Sequence, residues 1–172
     1  MTTPSIAPLA DAFDRIKETV EGVLDGLSPE ELSVRLDADA NSVGWLVWHL
    51  TRIQDDHLAD AADLPQVWHA DGWRKRFDLP YSPDATGYAH TRADVDAFRG
   101  VSADLLAGYH AAVHAQTQRY LSGLHATDLD RVVDDSWQPP VTLGVRLVSV
   151  IADDLQHVGQ AAFARGIIER RG

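Results

Sequence analysis

The chain has 172 residues, 45% of them hydrophobic, and a formal net charge of −11 from 15 Lys+Arg against 26 Asp+Glu. That length supports one domain, residues 1–172, with a substantial core, and the acidic balance, uninterrupted by any long Lys/Arg cluster, argues against binding nucleic acid or an anionic membrane through a basic patch. Cysteine is absent, which excludes disulfides, a thiolate metal site and a cysteine nucleophile, so thiol chemistry here requires an external thiol.

The N-terminal stretch lacks a positive leader followed by an apolar core, and no apolar run reaches the roughly 20 residues that span a bilayer. A cytoplasmic protein is the expectation. Ile6, Leu9, Ala10, Phe13, Ile16, Val20, Val23 and Leu24 keep one side of a helix apolar and predict a first helix over residues 5–26, stopped by Gly26. Ser28-Pro29-Glu30-Glu31 reads as an N-cap with proline at the first helical position, opening one or two short turns, with residues 32–41 as loop.

Ser42 is the expected cap of a second helix that runs to about Ala62. At ~100° per residue, Leu46, Leu50, Ile53 and His57 share a narrow arc, and His49 lies roughly 90° to one side with Asp56 nearby. Periodicity therefore selects His57 as the inward histidine. Residues 63–92 combine Pro65, Pro80, Pro83, Gly72 and Gly87 with Trp68, Trp73, Phe77, Tyr81 and Tyr88. This is too aromatic for a disordered linker and too broken for one helix, so an ordered crossover is expected, a candidate lid or pocket wall.

Thr91 is read as the cap of a short helix ending near Gly100, and Ser102 as that of a third main helix from Ala103 to about Leu124. Leu106, Tyr109, Val113, Thr117, Tyr120 and Leu124 form its apolar stripe. His110 falls at the edge of that stripe and His114 outside it, a rival metal pair one turn apart. Residues 125–141 read as loop, with Asp134 and Asp135 as solvated turn carboxylates and Trp137 before Pro139-Pro140; Thr142 then caps the last helix. The pattern is all-α: a bundle of four long helices with a long aromatic crossover.

No glycine-rich phosphate loop, Gly-x-Ser-x-Gly elbow or His-Glu-x-x-His occurs. Ser149, Asp153 and His157 follow one another up one helix face and cannot easily converge around a substrate as a hydrolytic triad. Asp153 and His157, one turn apart, do project from one face with Cβ atoms roughly 5–6 Å apart, a spacing that suits two ligands of one divalent cation. A third ligand has to come from another element, and His49 and His57 are the histidines of the second helix.

Trp48-His49-Leu50 on the second helix and Asp153-x-x-x-His157-Val-Gly-Gln160 on the last resemble the DinB-like superfamily of four-helix metalloproteins. Ser42-Val-Gly-Trp-Leu-Val-Trp-His-Leu-Thr-Arg and Thr142-Leu-Gly-Val-Arg-Leu-Val-Ser-Val-Ile-Ala-Asp-Asp-Leu-Gln-His-Val-Gly-Gln-Ala look like its actinobacterial branch, similar to the metal-binding domain of mycothiol-dependent maleylpyruvate isomerase. The resemblance implies that His49, Asp153 and His157 hold a divalent metal, whereas periodicity favours His57 as the second-helix ligand. It departs from the isomerase in the shorter carboxylate, Asp153 for Glu, and in lacking the extra C-terminal domain.

Zinc fits a set of two imidazoles and one carboxylate best, with nickel as an alternative. The resemblance further implies mycothiol as thiol co-substrate and a transferase or isomerase acting on a small electrophile. Trp48, Trp137 and Tyr88 are expected in the substrate pocket, and a homodimer is one expectation for the assembly. Two other readings stand beside it: a noncatalytic, metal-stabilised or ligand-binding bundle for stress response, and a metal-dependent hydrolase.

Overall fold

The computed structural model describes residues 5–171. In chain order it contains α1 (Ala7–Leu24), α2 (Pro29–Leu32), α3 (Val43–Ala62), α4 (Val67–Ala70), α5 (Trp73–Phe77), α6 (Arg92–Ala97) and α7 (Ala103–Ser122), then a 3-10 turn (Ala126–Asp130), strands β1 (Val132–Asp134) and β2 (Val141–Thr142), and α8 (Leu143–Arg171). Helices α1, α3, α7 and α8 form an all-α bundle in which α8 packs chiefly on α3 and α1, and α7 on α1 and α3. No described helix is long and apolar enough to cross a membrane.

Local chemistry sets the helix starts. The Ser42 hydroxyl accepts from Trp45 N and that of Ser102 from Leu105 N, while Ser28/Glu31 and Thr91/Asp94 form reciprocal capping boxes. After α1 the chain turns through Gly26 at φ +75°, a conformation that suits glycine. Residues 125–141 are more ordered than a loop: β1 and β2 pair antiparallel, Val132 opposite Thr142 and Asp134 opposite Val141. The β-branched residues at both ends of the Pro139-Pro140 segment favour that pairing.

The crossover between α3 and α6 is tied down by a buried polar network on α3. Asp55, 1% exposed, accepts hydrogen bonds from Val67 N, Trp68 N and the Tyr109 hydroxyl, and so fixes the start of α4. Arg52, fully buried, donates to Ala85 O at 3.1 Å, to Gln66 Oε1 at 3.0 Å and to the Tyr109 hydroxyl at 3.2 Å. Charged groups this deep persist only when their donors and acceptors are matched, so the network fixes where the crossover lies as well as that it is folded.

The core face of α8 carries Leu143, Leu147, Val150, Asp154, Val158, Ala161, Ala164 and Ile168. Asp154 is the exception in that set. It is fully buried, neither oxygen has a hydrogen-bond partner, and burial pushes its carboxyl well above the usual carboxylate range.

Candidate metal centre

The centre is built where the first two turns of α3 meet the middle of α8. Asp153 and His157 stand one turn apart on α8, as their spacing requires, and α3 brings His49 against them. The His49 and His157 rings meet edge to face, centroids 4.7 Å apart, and His157 Nε2 lies 3.6 Å from Asp153 Oδ1. One ligand atom from each of the three residues lies within 4.8 Å of the others, the one such group of three among the described residues. Donors at about 2 Å from a common tetrahedral ion stand about 3.3 Å apart, so a cation held by all three would require the side chains to draw slightly inward.

Hydrogen bonding prepares both imidazoles. His49 Nδ1 donates to Thr86 O at 2.6 Å, and His157 Nδ1 donates to Gln160 Oε1 at 3.2 Å. A ring that donates through Nδ1 presents a bare Nε2, the form a cation needs, and such outer partners also fix ring orientation. The His49 ring stacks on Trp45 at 4.8 Å and 17°.

Electrostatics divide the three candidate ligands. Burial, with the facing His157, pushes the His49 pKa down and keeps it neutral. The Asp153 carboxylate beside it raises His157. For Asp153 itself burial acts upward, but His157, His49 and His57 together outweigh it and hold the carboxyl below its usual range.

The donor set fits a divalent cation on an observation independent of spacing: Asp153 Oδ2 is buried and has no hydrogen-bond partner. A buried anionic oxygen without a partner, on a carboxylate grouped with two imidazoles, is costly alone and would be satisfied by a cation. The centre is also open on one side. His49 is 7% exposed, but the side chains of His157 and Asp153 are 20% and 36% exposed, leaving room for a ligand from solvent.

The remaining sequence candidates are not part of the His49/Asp153/His157 group. His57 Nδ1 accepts from Arg146 at 3.1 Å, and Arg146 also donates to Asp134. Its lone pair is thereby engaged by a cation. His114 pairs with Asp14 at 2.8 Å, and His110 is buried between α7 and α1. Trp48 is fully buried beneath the crossover, Trp137 is 65% exposed in the turn between β1 and β2, and Tyr88 is 86% exposed. Trp45, Thr86, Gly87 and Gln160 complete the surroundings; Trp45 and Gln160 occur in the motifs that carry the resemblance and Gly87 among the crossover glycines, but none was assigned a part in the metal centre. Gln160 was legible as the third residue after His157; the Thr86 contribution is a backbone carbonyl, which carries no side-chain signal.

Gly87 shows how closely the crossover covers His49. Its φ is +95°, and a Cβ there would lie 2.6 Å from His49 Nδ1 and 3.0 Å from the Trp45 ring. We expect Gly87→Ala to push residues 86–87 off His49, break the Thr86 hydrogen bond and weaken divalent-metal affinity about tenfold. Competition with a chelator of known affinity measures it; an unchanged affinity would show that the crossover does not position the ligand.

The family described as mycothiol-S-transferase matches residues 8–170. The chain belongs to this family. Among curated proteins, none matches. Of solved structures, one described as the crystal structure of the conserved protein of locus from Enterococcus faecalis is similar at 30% identity and a TM-score of 0.89, with 98% of each chain covered. Membership of the mycothiol-S-transferase family gives a thiol and a small molecule as the coarse substrate classes, and the His/Asp/His group is a site that could bind a metal.

Proposed function

We propose that this protein, as a single domain over residues 1–172, joins the thiol of mycothiol to a small electrophile at a divalent cation, zinc before nickel, held by His49, Asp153 and His157. The observation that carries this is the grouping of Asp153, whose buried Oδ2 has no partner, with two imidazoles whose Nδ1 atoms are already engaged. When bound, a divalent cation supplies positive charge that favours loss of a thiol proton near neutral pH. The chain does the positioning. Thr86 and Gln160 hold the two rings, Trp45 walls the buried side, and the exposed edges of Asp153 and His157 leave the approach for sulfur.

In the transfer, the thiol proton leaves to solvent, sulfur forms a new bond to the electrophilic carbon, and the leaving group departs with its bonding pair. The absence of cysteine means that the sulfur must come from the co-substrate. The expected result with metal-loaded protein, mycothiol and a chlorodinitroarene is thioether formation that requires both thiol and metal. Loss of the electrophile without thiol would favour the hydrolase reading, and no turnover despite bound metal would favour a metal that only braces the bundle.

A further inference from the structure

A groove of about 230 Å³ lies on the crossover side of α3, lined by Trp48, Trp68, Leu79 and Tyr81 with Arg74, Lys75, Asp78 and Ser82. It contains none of His49, Asp153 and His157. Its floor is a set of packed rings, Trp48 lying 5.2 Å from Tyr81 and 6.4 Å from Trp68 between centroids, and the half-buried Leu79 and Tyr81 are the apolar surface that remains accessible. A flat, apolar body of single-ring size matches such walls in shape and volume.

The polar groups of the groove specify the sign of a ligand. Arg74 and Lys75 are exposed at α5, and neither side chain makes a hydrogen bond, ion pair or ring contact among the described residues, although the chain carries a net charge of −11. Two unengaged cations against the single carboxylate of Asp78 make this a locally positive site on an acidic protein. Most of the hydrogen-bonding capacity of the walls is used internally, since Trp68 Nε1 donates to Pro83 O and the Tyr81 hydroxyl to Asp94 O. The free polar groups at the accessible edge are therefore the two cations, which call for an anion.

We infer that this groove is a second binding site, separate from the metal centre, for a small planar aromatic anion such as a benzene carboxylate, with its ring against the half-buried Leu79 and Tyr81, above Trp48 and Trp68, and its charge toward Arg74 and Lys75. Benzoate, with benzamide as the neutral analogue, tests it through the indole 1H–15N signals of the intact protein. The expected result is saturable movement of the Trp48 and Trp68 signals with benzoate, at least fivefold weaker binding of benzamide, and at least fivefold weaker benzoate binding in Arg74→Ala/Lys75→Ala.

Both substituted side chains are exposed and unpartnered, so the variant should keep its fold, which far-ultraviolet circular dichroism verifies. Removing metal with a chelator should leave benzoate affinity unchanged. Binding that disappears with the metal would place the anion on the cation instead. No saturation, or affinity unaffected by loss of Arg74 and Lys75, would equally overturn the inference. None of these outcomes depends on turnover, so failure of the transferase reading leaves the groove testable.

Discussion

His157→Ala should lower divalent-metal affinity by at least about tenfold while leaving the helices in place, because it removes one of three proposed ligands and no part of the core. The side chain is 20% exposed, and alanine is the better helix former, so far-ultraviolet circular dichroism should hardly change. His49→Ala should strip metal too, with an added loss of about 1–3 kcal/mol of stability, since that ring is 7% exposed and stacked on Trp45. His57→Ala is the control. Its Nδ1 already accepts from Arg146, so the metal should stay.

Elemental analysis of the three variants beside the parent protein decides it. Metal lost from His57→Ala and kept by His49→Ala would show that helical periodicity identified the ligand and that the His49 geometry did not. Acid should release the metal as well. In the metal-free protein, Asp153 raises the His157 pKa above 6.5, so protons compete at this ligand from a higher pH than at an ordinary histidine.

The bundle was legible because its boundaries are local. Ser28, Ser42, Thr91 and Ser102 each act on the backbone amide three residues away, so the caps could be read without tertiary context. Asp153 and His157 were legible for the same reason, since one helical turn places them together whatever the rest of the chain does. The second-helix histidine was not legible from periodicity, and only the family resemblance selected His49 over His57. Periodicity presumes one buried stripe, but α3 is buried continuously from Val43 to Arg52 because α8 and α7 cover two sides and the crossover covers another.

On a helix enclosed in this way, no arc of apolar residues points to the site. His57 scored as inward by period yet faces Arg146, whereas His49, off the stripe, meets His157. The covering itself depends on Arg52 and Asp55, a buried pair whose partners lie on the crossover and α7 and are invisible to a reading of α3 alone. A similar limit applied to His110: the stripe of α7 put it at an edge, and the packing of α1 closes over that edge.

His110 should make the protein labile to acid. It is 1% exposed, its Nε2 has no hydrogen-bond partner, and burial, with His114 and Lys17 nearby, pushes its pKa down to about 3. The folded state therefore holds the ring neutral while the unfolded chain takes up a proton near the ordinary value of 6.5. A depressed folded pKa means that this histidine costs nothing above pH 6.5 and removes stability progressively as pH falls from there toward 3.

At pH 4 the loss is on the order of 3 kcal/mol, a large fraction of the stability of a typical domain. His110→Leu removes the titrating group and keeps an apolar side chain of similar size in the α1–α7 interface. Urea unfolding of metal-free protein is the measurement, so that ligand protonation does not enter. Parent and variant should differ least near pH 7, and the variant should gain steadily below pH 6.5, since His114 paired with Asp14 and Lys17 on α1 remain in both. A stability difference that stays constant from pH 7 to 4 would show that His110 is protonated in the folded state, and that the α1–α7 interface admits the charge that its burial is expected to exclude.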